Sequence, residues 1–201
     1  MLFPAFLLIS ASVLLSNTNP VNGELYIFNF TGSDGVDGWE EQSDTVRSVG
    51  MSKAVLVNHE NTEYKRVVFF ALLNPQTDGS GFAGVRALKT YDDLTEYTKL
   101  QLQCRAQGNF TSFKVVLRHK GLNNEPNNSF EQFFDGPKDE FAVVDLPFSG
   151  FEAYYRGQLV GNETLDISQI TSIGIQMYGG VYLPVKQYGP ATLEIDWIKA
   201  A

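Results

Sequence analysis

Apolar and polar residues alternate with period two along most of the chain, and ten segments carry the pattern well enough to be expected as strands. They span 25–30, 53–58, 66–73, 84–90, 99–106, 112–118, 129–134, 141–146, 172–178 and 192–198. Turn-forming clusters separate most of them: Ser33-Asp34-Gly35, Asp78-Gly79-Ser80-Gly81, Asp135-Gly136-Pro137, Gly179-Gly180 and Gly189-Pro190. Helical periodicity is almost absent, with one short turn expected at 92–97 and another at 166–170. No internal repeat or low-complexity tract interrupts the pattern. The expected class is an all-β sandwich forming a single domain over residues 24–201.

The alternation also assigns faces. Phe113, Val115 and Leu117 are expected in the core, as are Leu193, Ile195 and Trp197, with Glu194 and Asp196 on the opposite face. The run from Val67 to Leu73 is apolar on both faces, which predicts a central strand covered on each side. Cys104 is the single cysteine and shares the apolar face of Leu100, Leu102 and Ala106. It reads as a small buried hydrophobe; the alternative is a reactive thiol or an intermolecular bridge.

Residues 1–23 depart from the pattern. They hold no charged side chain and open with an apolar run, Leu2 to Leu15, shorter than the roughly 20 residues a membrane helix needs. Polar and small residues follow up to Gly23, so the segment reads as a secretory signal peptide, with only the terminal amine supplying its basic end. An Arg-rich mitochondrial presequence does not fit, because the first basic residue is Arg47. The mature chain has no second long apolar segment. Four sequons, at Asn29, Asn109, Asn127 and Asn162, agree with passage through the endoplasmic reticulum and are expected to carry glycans. The net charge of −8 and a pI near 4.7 exclude nucleic acid as a natural partner.

Several blocks fit one family in order. They are Trp39 with Ser43-Asp44-Thr45-Val46, Gly81-Phe82-Ala83-Gly84-Val85-Arg86, and Leu146-Pro147-Phe148-Ser149-Gly150-Phe151 with Arg156-Gly157. Two more close the chain, Leu165-Asp166-Ile167-Ser168-Gln169-Ile170-Thr171-Ser172-Ile173-Gly174-Ile175 and Gly189-Pro190-Ala191-Thr192-Leu193-Glu194-Ile195-Asp196-Trp197-Ile198-Lys199. Over essentially its whole mature length the chain resembles the complex I intermediate-associated protein 30 family. The resemblance implies a galactose-binding-like jelly roll, similar to carbohydrate-binding modules. It also implies a chaperone role in assembling mitochondrial complex I, without chemistry of its own. The sequence departs where Arg47-Ser48-Val49 stands in place of the family's Met-Gly-Gly. The leader departs too, since an exported protein does not meet the inner mitochondrial membrane, and fold can transfer without function.

Catalytic signatures are missing. His59 and His119 stand in no metal-binding spacing, and there is no nucleophile elbow, P-loop or dinucleotide fingerprint. His119, near a strand end, is expected at the surface. Glu131, Asp135, Asp139 and Glu140 are the acids from which a glycosidase pair would be drawn, and they read as solvated loop positions. Binding is the better-supported chemistry. Arg86 and Arg118 lie on expected strands and match arginines of the family blocks; their fixed donors suit carboxylates or vicinal hydroxyls. Gln132, Gln176 and Tyr178 are expected nearby, and Tyr154, Tyr155 and Arg156 end an aromatic loop that could form a recognition edge. The competing reading is that these arginines make structural ion pairs with acids such as Glu131, Glu194 or Asp196. Jelly-roll relatives often hold calcium, for which Asp34, Asp37, Glu194 and Asp196 are the weak candidates; no other cofactor is expected. The function expected is that of a secreted, non-enzymatic module for a glycan or protein partner. A chaperone-like assembly factor is the alternative, mitochondrial if the leader is not secretory, and a saccharide hydrolase comes third.

Overall fold

A computed structural model describes residues 23–201. The expected leader lies, apart from Gly23, outside the described residues. Thirteen strands are present: β1 (Leu25–Asn29), β2 (Trp39–Glu41), β3 (Lys53–Glu60), β4 (Lys65–Leu73), β5 (Phe82–Leu88), β6 (Lys99–Gly108), β7 (Ser112–His119), β8 (Ser129–Asp135), β9 (Ala142–Pro147), β10 (Glu152–Tyr155), β11 (Gln158–Leu159), β12 (Ile170–Tyr178) and β13 (Gly189–Ala200). They pair antiparallel in two sheets. One has six strands in the order β3-β4-β13-β6-β9, with β1 added along the end of β13; the other runs β11-β10-β8-β7-β12-β5-β2.

All ten expected strands are present, with ends shifted by no more than two residues except at β13, which starts three residues early. Three were not foreseen, β2, β10 and β11, and with two to four residues each they are too short to show alternation. The turn at 166–170 is a 3-10 helix, Ile167–Gln169, started by Asp166 accepting a hydrogen bond from the Ser168 amide. At 92–97 only a single hydrogen-bonded turn forms, the Tyr97 amide donating to the Leu94 carbonyl at 3.0 Å, and no helix. Leu94 is drawn into the core, and the amides of Tyr91 and Leu94 donate to Ile170 and Ile167 instead of to their own segment.

The two inner faces make one core. Phe113, Val115 and Leu117 of β7 meet Val67, Phe69 and Ala71 of β4 and Leu100, Leu102 and Cys104 of β6 across the layer. Cys104 is fully buried, and burial, with a smaller push from Asp196, raises its thiol pKa to about 12, so it stays protonated. Two face assignments change. The β13 register slips against β6 between Ile195 and Trp197, a bulge that reverses the alternation. Ile198 and Ala200 therefore point inward, while Trp197 turns outward under the Lys199 ammonium. The run in β4 is not covered on both sides either: Phe70 and Leu72 are 45% and 52% exposed. A sandwich without packed helices buries only one face of each sheet.

On that outer face Glu194 organises a charged cluster. Its carboxylate accepts from Arg66 Nη1 at 3.0 Å, Arg105 Nη2 at 2.7 Å and Gln107 Nε2, and both guanidinium groups lie over the Phe141 ring. Burial pushes the Glu194 pKa up, but the two arginines outweigh it and leave the value below the ordinary 4.5. A depressed carboxylate pKa stabilises the fold above the unfolded value and loses that contribution as pH falls through the folded one. The melting temperature of Glu194→Gln should therefore change less between pH 5 and pH 3 than that of the parent. Parallel acid profiles, followed by circular dichroism, would refute this.

Candidate ligand-binding cleft

The outer face of the seven-stranded sheet carries a cleft of about 1040 Å³. Alternation aims one set of side chains from each strand into it: Glu41 from β2, Arg86 from β5, Gln176 and Tyr178 from β12, Lys114 and Arg118 from β7, Glu131 and Phe133 from β8, and Tyr154 from β10. Loops raise the walls. The segment around Val46 and Arg47 is held by Asp44, whose carboxylate accepts from the Ser52 amide at 2.9 Å, the Ser52 hydroxyl at 2.7 Å and the Phe82 amide at 3.3 Å. Gly50 closes this loop so tightly that a Cβ there would fall 1.9 Å from the Asp44 carbonyl oxygen. Opposite, Gln158 donates to the Tyr182 hydroxyl at 2.8 Å, joining the β10–β11 turn to the loop after β12.

Aromatic rings cross the floor. Phe133 meets Tyr154 edge-on at 5.6 Å and Tyr178 at 5.0 Å, which fixes a row of three rings. Burial raises the pKa of both phenols, with Glu152 and Glu131 adding to it at Tyr154 and Asp135 at Tyr178. Both hydroxyls thus stay protonated at neutral pH. Beside the rings, Lys114 and Glu131 form a buried ion pair, and Glu131 also accepts from Ser129 Oγ at 2.9 Å. Gly84 on β5 lets Gln176 cross it closely: a Cβ there would sit 2.3 Å from Gln176 Cγ.

Six of the eight expected site residues line this cleft: Arg86, Arg118, Gln176, Tyr178, Tyr154 and Arg156. Gln132 does not, because its neighbours Glu131 and Phe133 take the cleft face and period two sends it the other way, against Gly150. Tyr155 is excluded from the lining by the same parity beside Tyr154. The competing reading, structural ion pairs, holds for Arg86 and not for Arg118. Arg86 bonds Glu40 at 2.8 Å, and Arg118 donates to backbone carbonyls. Of the four acids considered for hydrolysis only Glu131 lines the cleft; Asp135 holds Ser112, and Asp139 borders a separate depression. His119 is not at the surface. It is 5% exposed, stacks near Phe130 and accepts from the Asp166 amide through Nδ1 at 2.8 Å. Burial, aided by Lys120, lowers its pKa. His59 is exposed and shares a hydrogen bond with Tyr64.

Arg47, Lys114, Glu125, Phe133 and Tyr182 were missed. The alternation placed Lys114 and Phe133 on expected strands, but nothing in the sequence said which strands share a floor. Of the calcium candidates, Glu194 and Asp196 face arginines and Asp34 accepts from the Asn29 amide; among the described residues no three His, Cys, Asp or Glu side chains gather as a metal-binding group. Asn109 and Asn162 are exposed, Asn29 and Asn127 half-buried, and Asn127 Nδ2 donates to the Asn124 carbonyl.

Two antiparallel sheets packed face to face, with an open, side-chain-lined cleft on one outer face, define a jelly-roll β-sandwich. The profile of the complex I intermediate-associated protein 30 family matches residues 28–195, and the chain belongs to that family. No curated protein matches the sequence. Among solved structures the fold is similar to the family 11 carbohydrate-binding module from Clostridium thermocellum in complex with a β-1,3-1,4-mixed-linked tetrasaccharide. That match has a TM-score of 0.64 and 18% identity, covering 89% of this chain and 95% of that one. The family 30 carbohydrate-binding module of a cellulosomal cellulase of Clostridium thermocellum matches with a TM-score of 0.55 and 14% identity, covering 89% and 96%. An exo-β-agarase matches with a TM-score of 0.53 and 15% identity, over 89% of this chain and 25% of that one.

Proposed function

We propose that this protein is a secreted, non-enzymatic module that binds a glycan in the cleft of the seven-stranded sheet. The observation that carries the reading is the row Tyr154–Phe133–Tyr178 set among convergent amide, hydroxyl and guanidinium groups. A sugar has apolar ring faces and a rim of hydroxyls, and a concave site with a few placed polar groups suits it. The similar fold of the family 11 module in complex with a tetrasaccharide supports the same reading. Non-catalytic action is supported by Glu131 being tied to Lys114 and by the remaining candidate acids falling outside the cleft lining.

A glycan array followed by calorimetry on the mature protein tests this. Tyr154→Ala should weaken binding about tenfold, or about 1.4 kcal/mol, with the fold intact. A folded protein that binds nothing on the array, or whose binding ignores Tyr154→Ala and Tyr178→Ala alike, overturns it. Secretion, cleavage after the leader and glycans at Asn29, Asn109, Asn127 and Asn162 belong to the same proposal; exposure of Asn109 and Asn162 supports it. Glycosidase treatment of protein from cells should increase its mobility. Family membership favours a second reading, an assembly chaperone acting on a protein partner. An unshifted band that fractionates with mitochondria would put that role first.

A further inference from the structure

The chain carries a net charge of −8, yet five cationic side chains line its cleft, Arg47, Arg86, Lys114, Arg118 and Arg156, against three carboxylates, Glu41, Glu125 and Glu131. All three carboxylates are already engaged, Glu41 by Lys53 at 3.4 Å and by the Ala54 amide at 3.1 Å. Glu131 pairs with Lys114, and Glu125 bridges Arg47 and Arg156, each at 2.8 Å. Arg86 is tied to Glu40 and donates Nη1 to the Asn123 carbonyl at 2.8 Å.

Arg118 differs from the rest. Among the described residues it is the one arginine with no carboxylate partner. Its Nη1 donates to the carbonyls of Leu122, Asn127 and Asn128, which fix its orientation and supply no counter-charge. Its Nε is buried without a partner. Burial and the nearby charge of Arg86 hold its pKa below the usual arginine range, against the weaker opposing pull of Glu131 and Glu125, neither of which touches it. The register explains the proximity: Arg86 and Arg118 come from the strands on either side of β12, opposite Gly174 and Ser172. Gly174 puts no side chain between them. A part-buried cation with no carboxylate in contact carries a desolvation cost that an anionic ligand would offset.

We propose that Arg118, with Arg86 beside it, forms an anion subsite in the cleft, and that the glycan taken is an acidic one whose uronic-acid carboxylate docks on the guanidinium. This deepens the glycan-binding reading and rests on it. A ligand carboxylate would accept from the guanidinium donors that the backbone carbonyls leave open, and the aromatic row beside it receives the sugar rings. Glu125 acts as an internal competitor, holding Arg47 and Arg156 until a ligand carboxylate takes its place.

Calorimetry on the mature chain tests the assignment with tetragalacturonate and tetramannuronate, each beside its carboxyl-reduced form. A uronate form should bind at least about tenfold tighter than its reduced counterpart, with a preference that shrinks in high salt. Arg118→Gln should erase that preference, and Glu125→Gln, which frees two arginines, should strengthen uronate binding severalfold. If Arg118→Gln does not fold, the Glu125→Gln result decides, and no gain there overturns the subsite. Reduced tetrasaccharides binding as well as the acids, or a preference that survives Arg118→Gln, also overturns it and leaves glycan binding standing. A folded parent that binds none of the four overturns both.

Discussion

Lys114→Met is expected to destabilise the protein by about 3–5 kcal/mol, the cost of removing one partner from a buried ion pair. Lys114 and Glu131 side chains are 9% and 6% exposed, and without the ammonium the carboxylate keeps only Ser129 Oγ as a donor. For a chain of this size the melting temperature should fall by roughly 10 °C. The pair lies in the cleft floor, and the ammonium also sits 5.8 Å from the Phe133 ring, so ligand affinity should weaken along with stability. Lys114→Met/Glu131→Met separates the two causes. Removing both charges should restore stability to within about 1–2 kcal/mol of the parent, because apolar residues of similar volume replace buried pairs well. Urea unfolding of the three proteins measures this. A single variant as stable as the parent would mean that the pair is solvated and not part of a rigid floor.

The second large effect is expected at Phe113→Ala, about 3–5 kcal/mol for a buried aromatic truncated in a core that cannot fully collapse. Phe113 comes from the seven-stranded sheet and meets Phe69 of the six-stranded sheet at 6.2 Å, with Phe134 at 5.9 Å on its own side. It therefore joins the two layers. A Cβ on Gly136 would lie 3.3 Å from its ring, so the connection from β8 to the other sheet is moulded against it as well. Phe113→Leu, which keeps much of the volume, should lose clearly less. Equal midpoints for the Ala and Leu variants in denaturant would show that the site relaxes and that the layers are held elsewhere. Because Lys114 follows Phe113 on β7, loosening this contact should also disturb the cleft floor.

The sequence and the structure part company at identifiable places. Alternation placed Phe113, Val115 and Leu117 in the core because β7 runs without a bulge between them. It failed at Trp197 because one extra residue in β13 reverses parity, and a bulge depends on how two strands meet. It failed at Phe70 and Leu72 because apolar residues on an outer face look the same in sequence as residues beneath a second layer. Parity alone separates Tyr154 from Tyr155 and Glu131 from Gln132, yet it could not be applied at the site before the cleft face was known. His119 was misplaced because the segment around Asp166 folds over the strand end from 47 residues away.

By itself, then, the sequence determined the ten longer strands, most of the turns between them and the family, and it put forward arginines and tyrosines most of which line one cleft, since period-two patterning and residue chemistry are local properties. Only the tertiary structure decided which strands lie side by side. That order sets Arg86 and Arg118 across a glycine, joins Lys114 to Glu131 and lines up Tyr154, Phe133 and Tyr178. The physical reason is that antiparallel pairing between residues distant in the chain fixes these neighbours, and no short-range pattern encodes it.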